Sequence, residues 1–489
     1  MFKHALIQDA AYASLLKSTR QQYHQRIAQV LEGQFPEIAE AEPALLAHHY
    51  TEAGLTEEAV HYWYQAGQST AKRSAHAEAI AHLRQGLALL QILPETPERV
   101  QQEVDIHLTL GASLLATKGQ AAPEVAQTYS RVRQLCAHLD EPPQLFSVLH
   151  GLWVYHLVRA EYQTAHALSE QLLTLAQQAH DPVLLLVAHH ALGNTLYFQG
   201  DLVAAYRALT HGSPWSDRAH HQNVALVYGQ TPVLFGRIYG ARTLWHLGYP
   251  DQGLAQSQQA VTLAQQSAHA FSLSIALNSA AMAHQFRREV RAAHERAAAA
   301  SSVAQEQGFP YWMALASILY GWALAHQGQV KEGIAQITQG LSASRATGAA
   351  LQRPYFLALL AEVHGTRGQP EAGLTVLTEA LALVDQTGER FYEAELYRLK
   401  GALLLQQHAD NQAEAEICFH QAIAIAQSQQ AKSLELRAAT SLARLWQQQG
   451  KRQEAHDLLA PVYHWFTEGF DTADLKDTKT LLDELEDGR

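Results

Sequence analysis

At 489 residues the chain exceeds what one hydrophobic core ordinarily organises. Its formal net charge of -12, without a long basic run, excludes the clustered Lys/Arg footprint of a general nucleic-acid binder. Only Cys136 and Cys418 occur, far apart, which excludes a disulfide framework, and apolar stretches such as PVLLLVAHHAL fall short of the roughly 20 residues that span a bilayer. MFKHALIQDAAY does not read as a signal peptide, so a cytoplasmic chain is expected.

In chain order, residues 2–32 predict one or two amphipathic helices, interrupted around Pro36 and Pro43. Residues 43–93 predict two short hairpin-like units, with a turn at Gly54 and the apolar helix AEAIAHLRQGLALL. In PETP, Pro97 suits a helix start. Two further helices lead through Gly119 to QTYSRVRQLCAHL, and the tandem Pro142 and Pro143 open a regular array.

Within that array Ala160, Gly200, Gly248, Arg288, Gly328, Gly368, Asp410 and Gly450 recur at intervals of 40, 48, 40, 40, 40, 42 and 40 residues. Five residues after each stands a small one: Ala165, Ala205, Gly253, Ala293, Gly333, Gly373, Ala415 and Ala455. A second, mostly small column follows at Leu172, Gly212, Ala260, Ala300, Gly340, Ala380, Ala422 and Val462. The columns are seven residues apart, two helical turns, so they share a face. Each period therefore predicts a helical hairpin: an apolar first helix, a turn able to take a left-handed backbone, and a second helix whose small residues admit the next unit's helix. A hairpin cannot bury its own apolar stripe, so neighbours must stack. The connection around THGSPWSDRAHHQ carries an eight-residue excess. After it, FTEGFDTADLKDTKTLLDEL predicts a closing helix that starts at Asp471/Thr472 and turns an acidic face to water.

The strings FQGDLVAAYRAL, AHQGQVKEGIAQITQGL, TRGQPEAGLTVLTEALALV and QQGKRQEAHDLLAPV resemble the turn and second helix of tetratricopeptide repeats, and Gly193 and Gly321 sit seven before their turns, where that family favours Gly or Ala. The resemblance implies an all-α, right-handed superhelix, an α-solenoid, here with a period near 40. Its expected organisation is a module end and linker helix over 1–40, irregular hairpins over 41–141, the regular array over 142–470 and a capping helix and tail over 471–489.

No GxxxxGK[ST], GxSxG, HExxH or GxGxxG occurs, so neither a phosphate loop, a nucleophile elbow nor a zinc helix is predicted. The 28 histidines include doublets at His48/His49, His189/His190 and His220/His221. Adjacent residues of a helix diverge by about 100 degrees and cannot chelate together, so no metal and no cofactor is expected. Trp153, Trp245, Trp312 and Trp322 recur on first helices, where packing and ligand contact are both open.

FKHALIQDAAYASLL at residues 2–16 resembles the segment that ends the ATPase core of bacterial STAND-class signalling ATPases, especially those with an N-terminal class III adenylate/guanylate cyclase. ERFYEAELYRLKGALLL and AKSLELRAATSLARLWQQQGKRQEAHDLLAPVYHWFTEGFDTADL resemble the C-terminal repeats of the same family. That resemblance implies the sensor arm of such a protein or of a transcriptional regulator, a stand-alone adaptor being the alternative. It also implies ATPase or cyclase domains as partners, and it puts His4 where a related motif contacts the phosphates of bound ADP. The chain itself is expected to be non-catalytic and to bind a protein, a peptide or a small inducer, without nucleic acid or membrane.

In tetratricopeptide arrays the first helices line the inner groove. Counting back thirteen, ten, six and three from the turns yields His150, His190, Asn194, Tyr197, Arg242, Trp245, Asn278, Gln285, Trp322, Tyr355, Glu362, Arg437 and Arg444 as exposed groove residues. This column mixes aromatics, amides and Arg, a composition suited to recognition. A clamp for a peptide carboxylate would need basic residues where His190, Asn194, Tyr239, Ile275 and Ser279 stand, so that subtype is not expected.

Overall fold

The computed structural model describes residues 12–73, 75–119, 121–136, 145–211, 232–267 and 269–487, and among them there are helices and no strands. They fall into two compact units, Met1–Thr117 with Pro123–Gly151, and Lys118–Ala122 with Leu152–Arg489. The division falls at Gly151, against the expected start of the array at 142, and residues 137–144, with Pro142 and Pro143, lie outside the described ones.

The first unit carries α1 (Lys17–Gln34), α2 (Pro36–Ala41), α3 (Pro43–Ala53), α4 (Thr56–Lys72), α5 (His76–Leu90), α6 (Pro97–Lys118) and α7 (Pro123–Cys136). Pro36, Pro43, Pro97 and Pro123 each open a helix, since an N1 residue has no intrahelical use for its N–H. Gly54 turns with φ 78°. Ala28, Leu46, Ala47, Tyr50, Ala59 and Tyr62 form the core here, and the hydroxyls of Tyr50 and Tyr62 both donate to the Glu32 carboxylate.

Next come α8 (Leu145–Val158), α9 (Tyr162–Ala179), α10 (Pro182–Gln199), α11 (Leu202–Thr210), α12 (Pro232–His246), α13 (Pro250–Gln266), α14 (Ala270–Phe286), α15 (Val290–Gln307) and α16 (Pro310–His326). Then follow α17 (Val330–Ala346), α18 (Arg353–Thr366), α19 (Pro370–Thr387), α20 (Glu393–Gln407), α21 (Gln412–Ser428), α22 (Lys432–Gln448), α23 (Arg452–His464) and α24 (Ala473–Asp487). The helical-repeat solenoid expected from the period is the fold observed.

The turns explain the period. Ala160, Gly200, Gly248, Arg288, Gly328, Gly368 and Gly450 all have φ between 58° and 96°. At each, the following residue donates its N–H to the carbonyl five positions back, as Glu161 does to His156, Asp201 to Leu196 and Gln329 to Leu324, at 2.9–3.0 Å. This left-handed cap satisfies a carbonyl that would otherwise be unpaired at the helix end. Asp410 is the exception: it lies in a 3₁₀ turn, and Asn411 Nδ2 caps the Leu404 carbonyl at 3.0 Å instead.

All eight positions of the first small column are buried, and its three glycines also press on the first helix of their own hairpin, a partner the expectation did not include. A Cβ on Gly333 would lie 2.5 Å from the Gly321 carbonyl, one on Gly253 2.8 Å from that of Ala241, and one on Gly373 3.0 Å from that of Ala361. These carbonyls belong to the first helix of the same hairpin. The next hairpin reaches the column with side chains, as Leu403 does at Gly373. Small residues are thus required where two antiparallel helices cross at backbone contact. The second column behaves alike at Gly340, whose Cβ would meet the Ala314 carbonyl at 2.8 Å, while Gly212 lies outside the described residues.

The closing helix α24 buries Leu475, Leu481, Leu482 and Leu485 as a cap should. Its acidic residues are not all given to water: Asp474 and Asp477 pair with Arg288, whose side chain thereby anchors a turn position that Gly would otherwise take.

Gly333→Ala is expected to destabilise the second unit by about 1–3 kcal/mol in urea unfolding, because overpacking outweighs the roughly 1 kcal/mol by which Ala is the better helix former.

Candidate functional site

The inner face of the second unit is closed by hydrogen bonds between hairpins far apart in sequence. The Val158 carbonyl accepts from the N–H groups of Ala350 and Leu351 at 2.9 and 3.0 Å, and the Phe198 carbonyl accepts from Arg390 N–H at 2.7 Å. The Trp245 carbonyl accepts from Ser433 Oγ at 2.5 Å, 188 residues away, and the Phe286 carbonyl from Arg437 Nη2 at 2.6 Å. All four carbonyls lie at the C-terminal ends of first helices, α8, α10, α12 and α14, where intrahelical partners run out.

This closure overturns the exposure expected of the groove residues. Asn194, Tyr197, Arg242, Trp245, Asn278 and Trp322 are each at most 6% exposed, His150, His190, Gln285 and Tyr355 are buried too, and the Arg437 side chain is 9% exposed. Glu362 is half-buried, and Arg444 is exposed. His4 lies outside the described residues. His150 belongs to the first unit, and the others share the second. Trp245 stacks on Phe286 at 4.6 Å and carries the Arg437 guanidinium at 4.9 Å, and Trp153 donates to Thr195 Oγ1, so these tryptophans pack.

Two polar regions remain on the inner face. The first is enclosed. Arg242, one turn before His246 on α12, donates from Nε to Ser279 Oγ at 3.3 Å and lies 4.9 Å over the Tyr239 ring. Asn278 of α14 donates to the carbonyls of Ser274 and Trp312. Glu389, in the turn between α19 and α20, receives the Tyr162 hydroxyl and, at 3.0 Å, the Gln352 N–H. Burial pushes the Glu389 carboxyl up to about 8 against these two bonds, so it carries a proton at neutral pH. His246 lies between the two regions, and burial holds it neutral, down to about 3.

The second is a cavity of about 230 Å³, far above the roughly 10–15 Å³ that admits one water. Arg288, Arg398, Arg437 and Arg444 line it together with Glu362, Glu395, Asp474, Asp477, Gln285 and Tyr392. Arg398 grips Glu395 with two bonds of 2.8 and 2.9 Å, and Arg437 bridges Glu395 at 3.5 Å and Asp474 at 2.8 Å. Glu362 accepts from Trp322 Nε1 at 2.9 Å. Burial would raise its carboxyl, but His326 and Trp322 hold it down to about 2. Arg444 makes no ion pair among the described residues, which leaves one cation of the cavity uncommitted.

Counting from the turns therefore identified residues of both regions but missed Glu389, Tyr162, Tyr239, Arg288 and Arg398. Arg288 carried a signal, a long cation where the turn favours Gly. Glu389 carried none, because its partners come from distant hairpins. Among the described residues no group of three or more His, Cys, Asp or Glu is arranged to hold a metal ion, and no helix is long and apolar enough to cross a membrane.

A tetratricopeptide-like solenoid with a polar inner face is the class that fold and site define. No family model matches the chain. It is 25% identical over 447 residues to the uncharacterized protein R02095 of Rhizobium meliloti (strain 1021), across 91% of this chain and 43% of that protein. The chain thus spans less than half the length of this curated relative. Similar solved structures include a Rap protein complexed with competence and sporulation factor (TM-score 0.52, 12% identity, 78% of this chain and 99% of that one). Another is the APC/C hetero-tetramer Cut9-Hcn1 (TM-score 0.50, 11% identity, 94% and 86%). At these identities the likeness is one of fold.

Two outcomes follow. Trp245→Ala is expected to cost about 3–5 kcal/mol as a core truncation, whereas Arg444→Ala changes stability by less than about 0.5 kcal/mol, as chemical denaturation of each variant will measure. Because the Glu389 pKa is raised on folding, its contribution is fully present below about 4.5 and is lost as pH rises through about 8. Glu389→Gln should therefore gain stability relative to wild type as pH increases over that window, measured by unfolding at a series of pH values.

Proposed function

We propose that this chain is a non-catalytic binding and sensing scaffold whose second unit takes a protein segment or small inducer on its inner face. The observation that carries this reading is the convergence of side chains from many hairpins on the enclosed polar region and the Arg/carboxylate cavity. The likeness to a Rap protein seen with competence and sporulation factor, and to Cut9 assembled with Hcn1, agrees with a solenoid used for binding.

The resemblance of both chain ends to STAND-class signalling ATPases supports a finer assignment. In it, this region is the sensor arm of a longer protein, with ATPase and adenylate/guanylate cyclase or transcriptional output domains in cis or in trans. The greater length of the R02095 relative agrees with that assignment. In such a protein, filling the inner face would alter the contacts between distant hairpins and hence the output domain's environment.

The test is capture of partners from native cytosol by the purified chain, comparing wild type with Arg444→Glu and Asp477→Lys. Both side chains reach solvent at the cavity. Each variant is expected to lose most specific capture with its circular dichroism unchanged. Undiminished capture by both would remove the inner face from the function.

A further inference from the structure

The Arg/carboxylate cavity of the second unit is built from helix faces, and its charges can be followed one by one. On α22, Arg437, Thr440, Ser441 and Arg444 stand on one stripe, because residues three, four and seven apart share a helix face. Asp474, Asp477 and Thr478 form a like stripe on α24, and the hydroxyls of Thr440 and Thr478 join the two helices at 2.8 Å. Glu395 and Arg398 come from α20, and Arg288 from the turn between α14 and α15. The cavity has a buried floor and an open mouth: Gln285 and Tyr392 are each 3% exposed, whereas Arg288, Asp477 and Arg444 reach solvent.

Every carboxylate of the wall is assigned to a cation. Glu395 is held by Arg398 and Arg437, Asp474 by Arg437 and by Arg288 at 3.3 Å, and Asp477 by Arg288 at 2.7 Å. Glu362 is answered from behind the wall by His326, 3.7 Å away. Burial lowers the His326 pKa, but the Glu362 carboxylate and the Trp322 carbonyl outweigh it and hold the imidazole above its usual value. Three arginines thus share three carboxylates, and Arg444 is the cation left over.

This balance selects the ligand. A cation would add to the excess positive charge. A dianion such as a phosphate monoester would exceed it and bring its second charge against the wall carboxylates. One negative charge restores the balance, and a guanidinium can hold a carboxylate through two parallel N–H···O bonds. A volume of about 230 Å³ is far more than a lone carboxylate fills, so the acid has a body. Gln285, Tyr392 and Ser441 offer that body an amide and two hydroxyls. We infer that this cavity binds a small organic acid with one carboxylate and a hydroxyl- or carbonyl-bearing body, the carboxylate on Arg444 and the body directed inward to Gln285, Tyr392 and Ser441. The inference rests on the sensing reading above and names the inducer class. The acid can enter without breaking any of the internal ion pairs.

The experiment screens the full chain by thermal shift against glycolate, lactate, pyruvate, glycerate and gluconate at millimolar concentration in a chloride buffer of low ionic strength, and follows hits by calorimetry. At least one of these acids is expected to raise the melting temperature, and its neutral amide should bind at least tenfold more weakly. Succinate and inorganic phosphate should also bind more weakly than that acid. Arg444→Gln should weaken binding at least tenfold, whereas Arg291→Gln, at a side chain 92% exposed, should leave it unchanged. Ser441→Leu fills the cavity and should abolish binding with circular dichroism unaltered; should it misfold, Arg444→Gln at its exposed position carries the test. Unaltered affinity in Arg444→Gln, equal binding of the amide, tighter binding of phosphate, or no stabilising acid would each overturn the assignment. If partner capture still responds to Arg444→Glu in that case, only the ligand class falls; if capture is indifferent too, the sensing reading falls with it.

Discussion

The second unit depends on how the carbonyl ends of its early first helices are satisfied. An α-helix leaves its last carbonyls without intrahelical partners. At Val158, Phe198, Trp245 and Phe286 the missing donors come from Ala350, Leu351, Arg390, Ser433 and Arg437, nearly five repeats later for the first three carbonyls. The same contacts bring Tyr162 to Glu389 and Arg288 to Asp474. A change in the rotation per hairpin would break all of them together. The pitch of the array and the closure of its inner face are thus one constraint.

That constraint explains why the inner face is at once well packed and polar. Tyr197, Phe198, Trp245, Phe286, Phe391 and Tyr392 make ring contacts of roughly 4.6–6 Å across the interior, supplying apolar area. Between and beside them stand Arg242, Asn194, Asn278 and Glu389, and further along the Arg398–Glu395–Arg437–Asp474 chain. Buried ions are held at high cost unless paired, and the cavity arginines are paired almost throughout. The exception, Arg444 at the cavity, is where binding free energy can be gained without first breaking an internal contact.

Much of the fold was legible in the chain itself. A period near 40 with Gly at the turns and small residues five positions later can be met by a helical hairpin, because a left-handed cap and a backbone-to-backbone crossing impose those residue types wherever they occur. The prolines that open helices and the leucines of the closing helix were readable for the same reason: their role is set by neighbours within a few residues. The expectation named only the following hairpin as partner of the small column, whereas Gly253, Gly333 and Gly373 also meet the first helix of their own hairpin.

The site was legible only in part. Helical periodicity determined that Asn194, Tyr197, Arg242, Trp245, Asn278, Trp322 and Glu362 face inward, since a side chain's direction follows from its place in the turn. Whether inward means groove or interior was decided by tertiary structure, through the rotation from one hairpin to the next, a small angle summed over nearly five repeats that no local pattern encodes. Glu389 shows the difference most sharply. In sequence it is an ordinary glutamate after a turn glycine; in the folded unit it is a buried carboxyl, because Tyr162 and Gln352 arrive from elsewhere in the chain and water does not.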